Sequence, residues 1–462
     1  TCLYIQIMRN IKFALWLTLL ALSVAWLAAD TFWLSSPFAF FPFRNALLQY
    51  SGVMAIGAMS LSMLLAARPV WLERHLNGLD KMYRLHKWLG ITALLASVLH
   101  WAGAKSAKWV VAAGWLQKPV RPAGLPATAF FTLEQWFGSQ RKLAEDMGEF
   151  AFKVSLLLLV LALLKWFPYR LFAKTHKLLA AAYLVLVYHS VVLLKFSYWA
   201  QPVGWLTAAL LIIGFSSAVV VRLGRTGSRR KVLGTINALQ HDGNTGVLSA
   251  TISLPQQWAG HKAGQFVFLT TSKQEGAHPY TIASGWSPAS PPTIRLLIKA
   301  LGDHTSKLHE LLEVGMPVTV EGPYGCFTFH GQQPAQIWVG GGIGITPFMA
   351  RMQELAQELS QQTDSAAPSQ QIDLFYCTSN ASPALLDELG QLAQAARVRL
   401  HVFIKQRDGR LQGAHVRQRV PDWQQASLWF CGPDALGQAL LADFTAQGWP
   451  ASRFHQELFA MR

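Results

Sequence analysis

Four histidines stand where histidine is expensive. His86 and His100 lie near the two ends of the apolar run LHKWLGITALLASVLHWAGA, and His176 and His189 belong to a second apolar run, 176–194. An ionisable side chain inside a bilayer is costly and normally has a purpose. Neutral imidazole is a common metal ligand. Two such segments side by side provide for two metal centres, one near each face of a membrane. The first pair is fourteen residues apart (100 − 86) and the second thirteen (189 − 176). Fourteen helical residues rise about 21 Å and return to within about 40° of the starting face; thirteen miss it by about 140°. A straight helix therefore explains the first pair. The second needs a local distortion or different angles of approach.

The rest of the chain fits a protein that holds these rings in lipid. Its 462 residues are 52% apolar and only 14% charged, with 18 tryptophans. Such a low charged fraction is unusual for a soluble domain, and tryptophan favours bilayer interfaces. The length allows two or three domains. The net charge of +16 accompanies no nucleic-acid motif, so membrane orientation and phosphate-bearing cofactors explain it better. Cys2, Cys326, Cys377 and Cys431 show no metal-site spacing.

Six apolar segments are expected as transmembrane helices, at about 11–29, 47–67, 85–104, 150–167, 178–194 and 203–221. The apolar run from Phe13 to Ala29 follows Met8, Arg9 and Lys12, and the first segment is read as an uncleaved span rather than a signal peptide. Arg68, Arg74, Lys81, Arg84 and Lys87 follow the second span, Lys165, Arg170, Lys174 and Lys177 the fourth, and Arg222, Arg225, Arg229, Arg230 and Lys231 the sixth. With six alternating spans these cations share one side, which is then cytoplasmic. The N-terminus and the C-terminal half are expected on that side, His86 and His176 near it, and His100 and His189 near the outer face. Fourteen residues, about 21 Å, suit two haems stacked through a bilayer, and haem iron is commonly held by histidine.

Residues 222–231, RLGRTGSRRK, are read as a basic linker that anchors the topology. Short alternating runs follow: VLGTINAL, GVLSATISL, GQFVFLTT, TIRLLIKAL and PVTVEG. They suggest a small antiparallel barrel. Then IWVGGGIGITPFM reads as strand, glycine turn and helix, a phosphate-binding arrangement. IDLFYCTS, VRLHVFIK and SLWFCGP alternate with helix-like stretches, the pattern of a parallel α/β domain.

The histidine spacings, with these motifs, resemble the ferric reductase and NADPH oxidase superfamily over about residues 10–462. The resemblance implies two b-type haems, the inner held by His86 and His176 and the outer by His100 and His189. It implies that His278, Pro279, Tyr280, Thr281 and Ser284, in HPYTIAS, form the FAD segment, an aromatic beside the isoalloxazine and a hydroxyl on its ring. Gly302, Thr305 and Ser306 resemble a second segment, in which a helix N-terminus meets the FAD pyrophosphate; an ordinary capped helix would look the same. Gly340, Gly341, Gly342, Gly344, Thr346 and Pro347 resemble the pyridine-nucleotide loop, and Cys431, Gly432 and Pro433 the motif near the nicotinamide. Cys431 is alternatively a small buried hydrophobe. Arg407 or Arg410 is available for a 2′-phosphate, so NADPH is favoured and NADH remains open. Phe459 is read as the ring that covers the flavin, with Phe454 as its rival.

The expected architecture is multidomain: an all-α six-helix transmembrane haem domain (1–221), the linker (222–231), an antiparallel β-barrel FAD domain (232–330) and a Rossmann-like α/β NAD(P)H domain (331–462). The expected activity is electron transfer across the inner, cytoplasmic membrane, from NAD(P)H to oxygen, giving superoxide. A ferric chelate is the second acceptor, and a haem-free, membrane-anchored flavin reductase the alternative of another kind. Thr281, Cys431 and Phe459 carry the catalytic expectation. A lipid bilayer is required, and neither nucleic acid nor an obligatory protein partner is expected.

Overall fold

The computed structural model describes residues 2–30, 39–76, 78–117, 132–164, 166–272, 275–331, 333–361, 370–380 and 382–457. The chain forms two compact units. One holds Ile11–Pro69 and Met82–Thr226; the other holds Thr1–Asn10, Val70–Lys81 and Gly227–Arg462.

The first unit is helical. Its elements are α1 (Cys2–Ala29), α2 (Phe40–Ala66), α4 (Leu79–Ala112), α5 (Leu133–Leu163), α6 (Tyr169–His176), α7 (Leu178–Leu193) and α8 (Pro202–Arg222), α3 (Val70–His75) belonging to the other unit. Local signals set the ends. Thr132 and Gln135 form a reciprocal capping box at the start of α5, and Pro202 occupies the first turn of α8.

Among the described residues, four stretches are long and apolar enough to cross a membrane: Ile11–Ala29, Phe40–Ala66, Leu171–Leu193 and Pro202–Arg222. The sequence suggested six. The other two segments are helical but diluted: α4 carries His86, Lys87 and His100, and α5 carries Glu149 and Lys153 ahead of its apolar end. Leu95 and Ile212 are 65% and 67% exposed, as lipid-facing side chains would be without lipid.

The second unit contains two sheets. β1 (Lys231–Asp242), β2 (Val247–Ser253), β3 (Phe266–Thr270), β4 (Ala277–Thr281), β5 (Thr293–Lys299) and β6 (Pro317–Tyr324) form an antiparallel sheet in the order β4-β3-β6-β1-β2-β5. Alternation drives it: in β2 every second residue is buried, and Ile236, Leu248, Ile252, Val267, Ile294 and Val320 share one core. Ile282 and Leu296 form a single bridge between the edge regions, so closure into a barrel is not continuous.

β7 (Ala335–Gly341), β8 (Gln371–Thr378), β9 (Arg399–Ile404), β10 (Ala426–Cys431) and β11 (Phe454–Gln456) form a parallel sheet in the order β11-β10-β7-β8-β9. Every residue of β7 and β10 is buried, as expected for parallel strands covered on both faces.

Arg230 donates to Glu73 (3.2 Å) and to the Pro323 carbonyl (2.7 Å) and lies 4.6 Å from the Tyr324 ring centre. Glu73, buried in α3, also accepts the Gly325 N–H at 2.7 Å. Residues 70–81 thus pack with the C-terminal half, a pairing that sequence distance hides.

Candidate functional site

α4 carries His86 and His100, α6 ends on His176, and α7 carries His189. The rings of His86 and His176 lie 5.9 Å apart at 68°, those of His100 and His189 6.2 Å apart at 78°. The pairing is the one expected from sequence. The thirteen-residue spacing coincides with a local irregularity at Lys177, where α6 ends and α7 begins while the backbone stays near helical values (φ −64°, ψ −23°), a distortion of the kind the spacing requires.

Backbone carbonyls orient three of the rings. Nδ1 of His86 donates to Ser62 (2.9 Å), Nδ1 of His100 to Leu48 (3.0 Å) and Nδ1 of His189 to Ala144 (2.8 Å). A carbonyl only accepts, so each Nδ1 carries the proton, and in a neutral ring Nε2 keeps its lone pair. His176 stacks on Phe172 at 5.0 Å; its buried Nδ1 has no hydrogen-bond partner among the described residues. Gly148 makes room for His189, since a Cβ there would stand 1.9 Å from Nδ1. Beside the second pair, Arg44 donates from Nε to Gly103 O (2.9 Å) and from Nη2 to Ala104 O (2.8 Å). Arg44 is marked in sequence only as a lone cation entering an apolar run.

In the other unit, β4 carries HPYT and pairs with β3, setting His278 against Leu269 and Thr281 against Phe266. The Tyr280 and Thr281 hydroxyls are buried and have no hydrogen-bond partner among the described residues. Burial pushes the Tyr280 phenol up. Ser284 is already engaged: its hydroxyl accepts the Arg295 N–H at 3.0 Å. His278 stacks on His304 at 4.1 Å and is pushed down to about 4, first by burial, then by His304, with Glu275 opposing.

The Gly302–Ser306 segment differs from expectation. It is a run of turns ahead of a single helical turn, α9 (Leu308–Leu311). Thr305 Oγ1 accepts the N–H groups of Leu301 (2.9 Å) and Gly302 (3.1 Å), so this hydroxyl caps its own turn. Ser306 Oγ donates to Asp303 O at 3.3 Å.

In the parallel sheet, Gly340 pairs with Cys431, which brings the glycine loop and Cys-Gly-Pro together. Close approach explains the glycines: a Cβ at Gly344 would meet Cys431 O at 2.2 Å, and one at Gly341 would meet Pro433 Cδ at 2.7 Å. Thr346 opens α10 (Thr346–Gln361), followed by Pro347; its hydroxyl donates to Ile343 O at 3.2 Å rather than capping the helix. Cys431 is fully buried, and burial, then Glu457, pushes its thiol well up. Arg407 forms an ion pair with Asp408 at 2.9 Å.

Glu457 is buried, and its Oε2 has no hydrogen-bond partner among the described residues. Burial, then Asp80, raise it to about 8 against the pull of Lys81. Phe459 lies outside the described residues. Its rival Phe454 is buried in β11 and stacks on Phe430, a core position.

Residues 51–187 match the family of ferric reductase like transmembrane components, and residues 234–328 match an FAD-binding domain. Both matches support a place in the ferric reductase and NADPH oxidase superfamily. Within known proteins it is 33% identical over 163 residues to the heme-dependent oxidative N-demethylase beta subunit of Ectopseudomonas mendocina, covering 33% of this chain and 45% of that one. It is 26% identical over 246 residues to respiratory burst oxidase homolog protein E of Arabidopsis thaliana, covering 46% and 24%. A flavohemoglobin structure from Malassezia yamatoensis aligns at TM-score 0.47 and 15% identity, covering 90% of this chain and 98% of that one. The matches span about half the length of the first curated relatives.

Proposed function

We propose that this chain is a member of that superfamily, an oxidoreductase that carries electrons from cytoplasmic NAD(P)H, through FAD and two b-type haems, to an acceptor across the membrane. Oxygen is the favoured acceptor, giving superoxide. The observation that carries the reading is the pairing of four histidines in two sets, with three Nδ1 atoms bound to helix carbonyls. Two metal–nitrogen bonds of about 2 Å and two half-rings make about 6 Å between ring centres, close to the 5.9 and 6.2 Å separations. His86 and His176 would hold the inner group, His100 and His189 the outer. When bound, FAD takes a two-electron hydride and haem takes electrons singly, which is why both are needed between NAD(P)H and a one-electron acceptor.

The residues of the reductase half have separate tasks. The Thr281 hydroxyl and the Tyr280 ring are assigned to the flavin ring, and their orphaned polar atoms support this. His278, Gly302, Thr305 and Ser306 border the pyrophosphate position, while Ser284 ties β5 to the flavin segment through Arg295. The N–H groups of Gly340, Gly341, Gly342 and Gly344, with the start of α10 at Thr346 and Pro347, are assigned to the dinucleotide phosphates. Cys431, Gly432 and Pro433 are placed at the nicotinamide, where buried Glu457 holds a proton at neutral pH. Phe459 is assigned to the exposed flavin face and Arg407 to a 2′-phosphate, which favours NADPH over NADH.

A ferric chelate is the second acceptor, favoured by the cation Arg44, held at Gly103 and Ala104 beside the outer pair. Purified protein in liposomes, with NADPH supplied on the reductase side, tests the proposal. Reduction of external cytochrome c that superoxide dismutase suppresses is expected. Reduction of a ferric chelate alone would replace oxygen as acceptor, and NADPH oxidation without any reduction across the membrane would contradict transmembrane transfer.

A further inference from the structure

Two separate stretches of chain meet at the edge of the flavin segment. Glu275 lies in the turn before β4 and His278 is the second residue of β4; His304 comes from the turns after β5. One donor atom from each of the three lies within 4.8 Å of the others. The two imidazoles stack at 4.1 Å and 16°, and His304 Nδ1 stands 3.9 Å from Glu275 Oε2. All three residues are half-buried.

We propose that Glu275, His278 and His304 form a binding site for a zinc-class divalent metal ion, separate from the four membrane histidines. Two imidazole nitrogens and one carboxylate oxygen are a donor set that zinc and its neighbours accept readily. Bound ligands sit about 2.0–2.1 Å from zinc, so the three side chains must draw together on binding. Rotations of a loop glutamate and of His304, carried on a turn, can supply that movement without shifting β4. Three protein ligands leave a fourth position for water or another oxygen donor. The donor atoms belong to the reductase half, so the site does not depend on haem.

The test uses full-length protein in detergent with its own cofactors. It is stripped with a chelator, dialysed against zinc chloride and analysed for metal. One chelator-removable zinc per chain is expected, with a zinc K-edge spectrum showing imidazole scattering. Glu275→Ala and His304→Gln should each weaken zinc binding about tenfold or more, while flavin content, haem content and melting temperature stay at wild-type values. Should one variant fold poorly, Glu275→Gln keeps the shape and removes the charge. Equal zinc content in wild type and the variants would place the metal elsewhere and overturn the proposal, as would failure of the wild type to retain zinc. The assignment of the flavin segment is read separately, from FAD retention in Thr281→Ala.

Discussion

Nδ1 of His86 donates to the carbonyl of Ser62 at 2.9 Å, and fourteen residues along both helices His100 repeats the bond to Leu48 at 3.0 Å. The two carbonyls on α2 are spaced as the two histidines on α4 are (62 − 48 = 100 − 86). The residue numbers run in opposite directions, so antiparallel α2 and α4 offer one carbonyl at each depth. This fixes the tautomer and aim of both rings.

His189 has its own support, and it can be removed without touching the ring. Gly148→Ala would place a methyl group 1.9 Å from Nδ1. The ring must then leave its bond to Ala144. Overpacking of this kind costs about 1–3 kcal/mol. Haem content after purification should fall toward one per chain, with a lowered melting temperature. Two haems and an unchanged melting curve would show that the ring is not held there.

Thr281→Ala separates a cofactor bond from a structural one. The hydroxyl has no hydrogen-bond partner among the described residues, so flavin-free protein should lose only what one deleted buried methyl group costs, about 0.5–1.5 kcal/mol. FAD retention should weaken by about 1–3 kcal/mol where the flavin is left with an unpaired buried atom. Equal loss of stability with and without flavin would assign Thr281 to the core instead.

Much of this was legible in sequence, for physical reasons. Histidines at membrane depth and glycine-rich strand–helix turns are costly, specific patterns, and the structure brings each set together. The irregularity at Lys177 was not legible, because no proline or glycine marks it. Neither was the Glu73–Arg230 contact, whose partners are 157 residues apart (230 − 73). Thr305 reads from sequence as a phosphate ligand ahead of a turn cap, and only the fold shows its hydroxyl accepting the Leu301 and Gly302 N–H groups. Glu457 is plain as a charged residue; only the fold shows it buried.

Glu457 gives a pH prediction with a definite sign. Its folded value, about 8, lies above the ordinary 4.5. The folded state therefore binds the proton more tightly, and the associated stability is full below about 4.5 and is lost as pH rises toward 8. His455 is pushed down to about 4 by burial and then Lys81, so it acts in the acid range, below 6.5. Between 6.5 and 8 the wild-type melting temperature should fall more steeply with pH than that of Glu457→Gln. Parallel curves would remove Glu457 from the account.

Outer-pair variants test the depth assignment. His100→Ala or His189→Ala should remove mainly the outer haem and abolish reduction of an external acceptor, while NADPH still reduces bound flavin. Unchanged haem content in both variants would sink the ligand assignment.

The visible spectrum of purified wild-type protein, with haem counted as the pyridine complex, tests the central claim most directly. Two b-type haems per chain are predicted, low-spin and six-coordinate in both oxidation states, as four histidines in two pairs require. A flavin spectrum alone, with no haem bands in protein purified from haem-replete cells, would contradict it and leave a membrane-anchored flavin reductase.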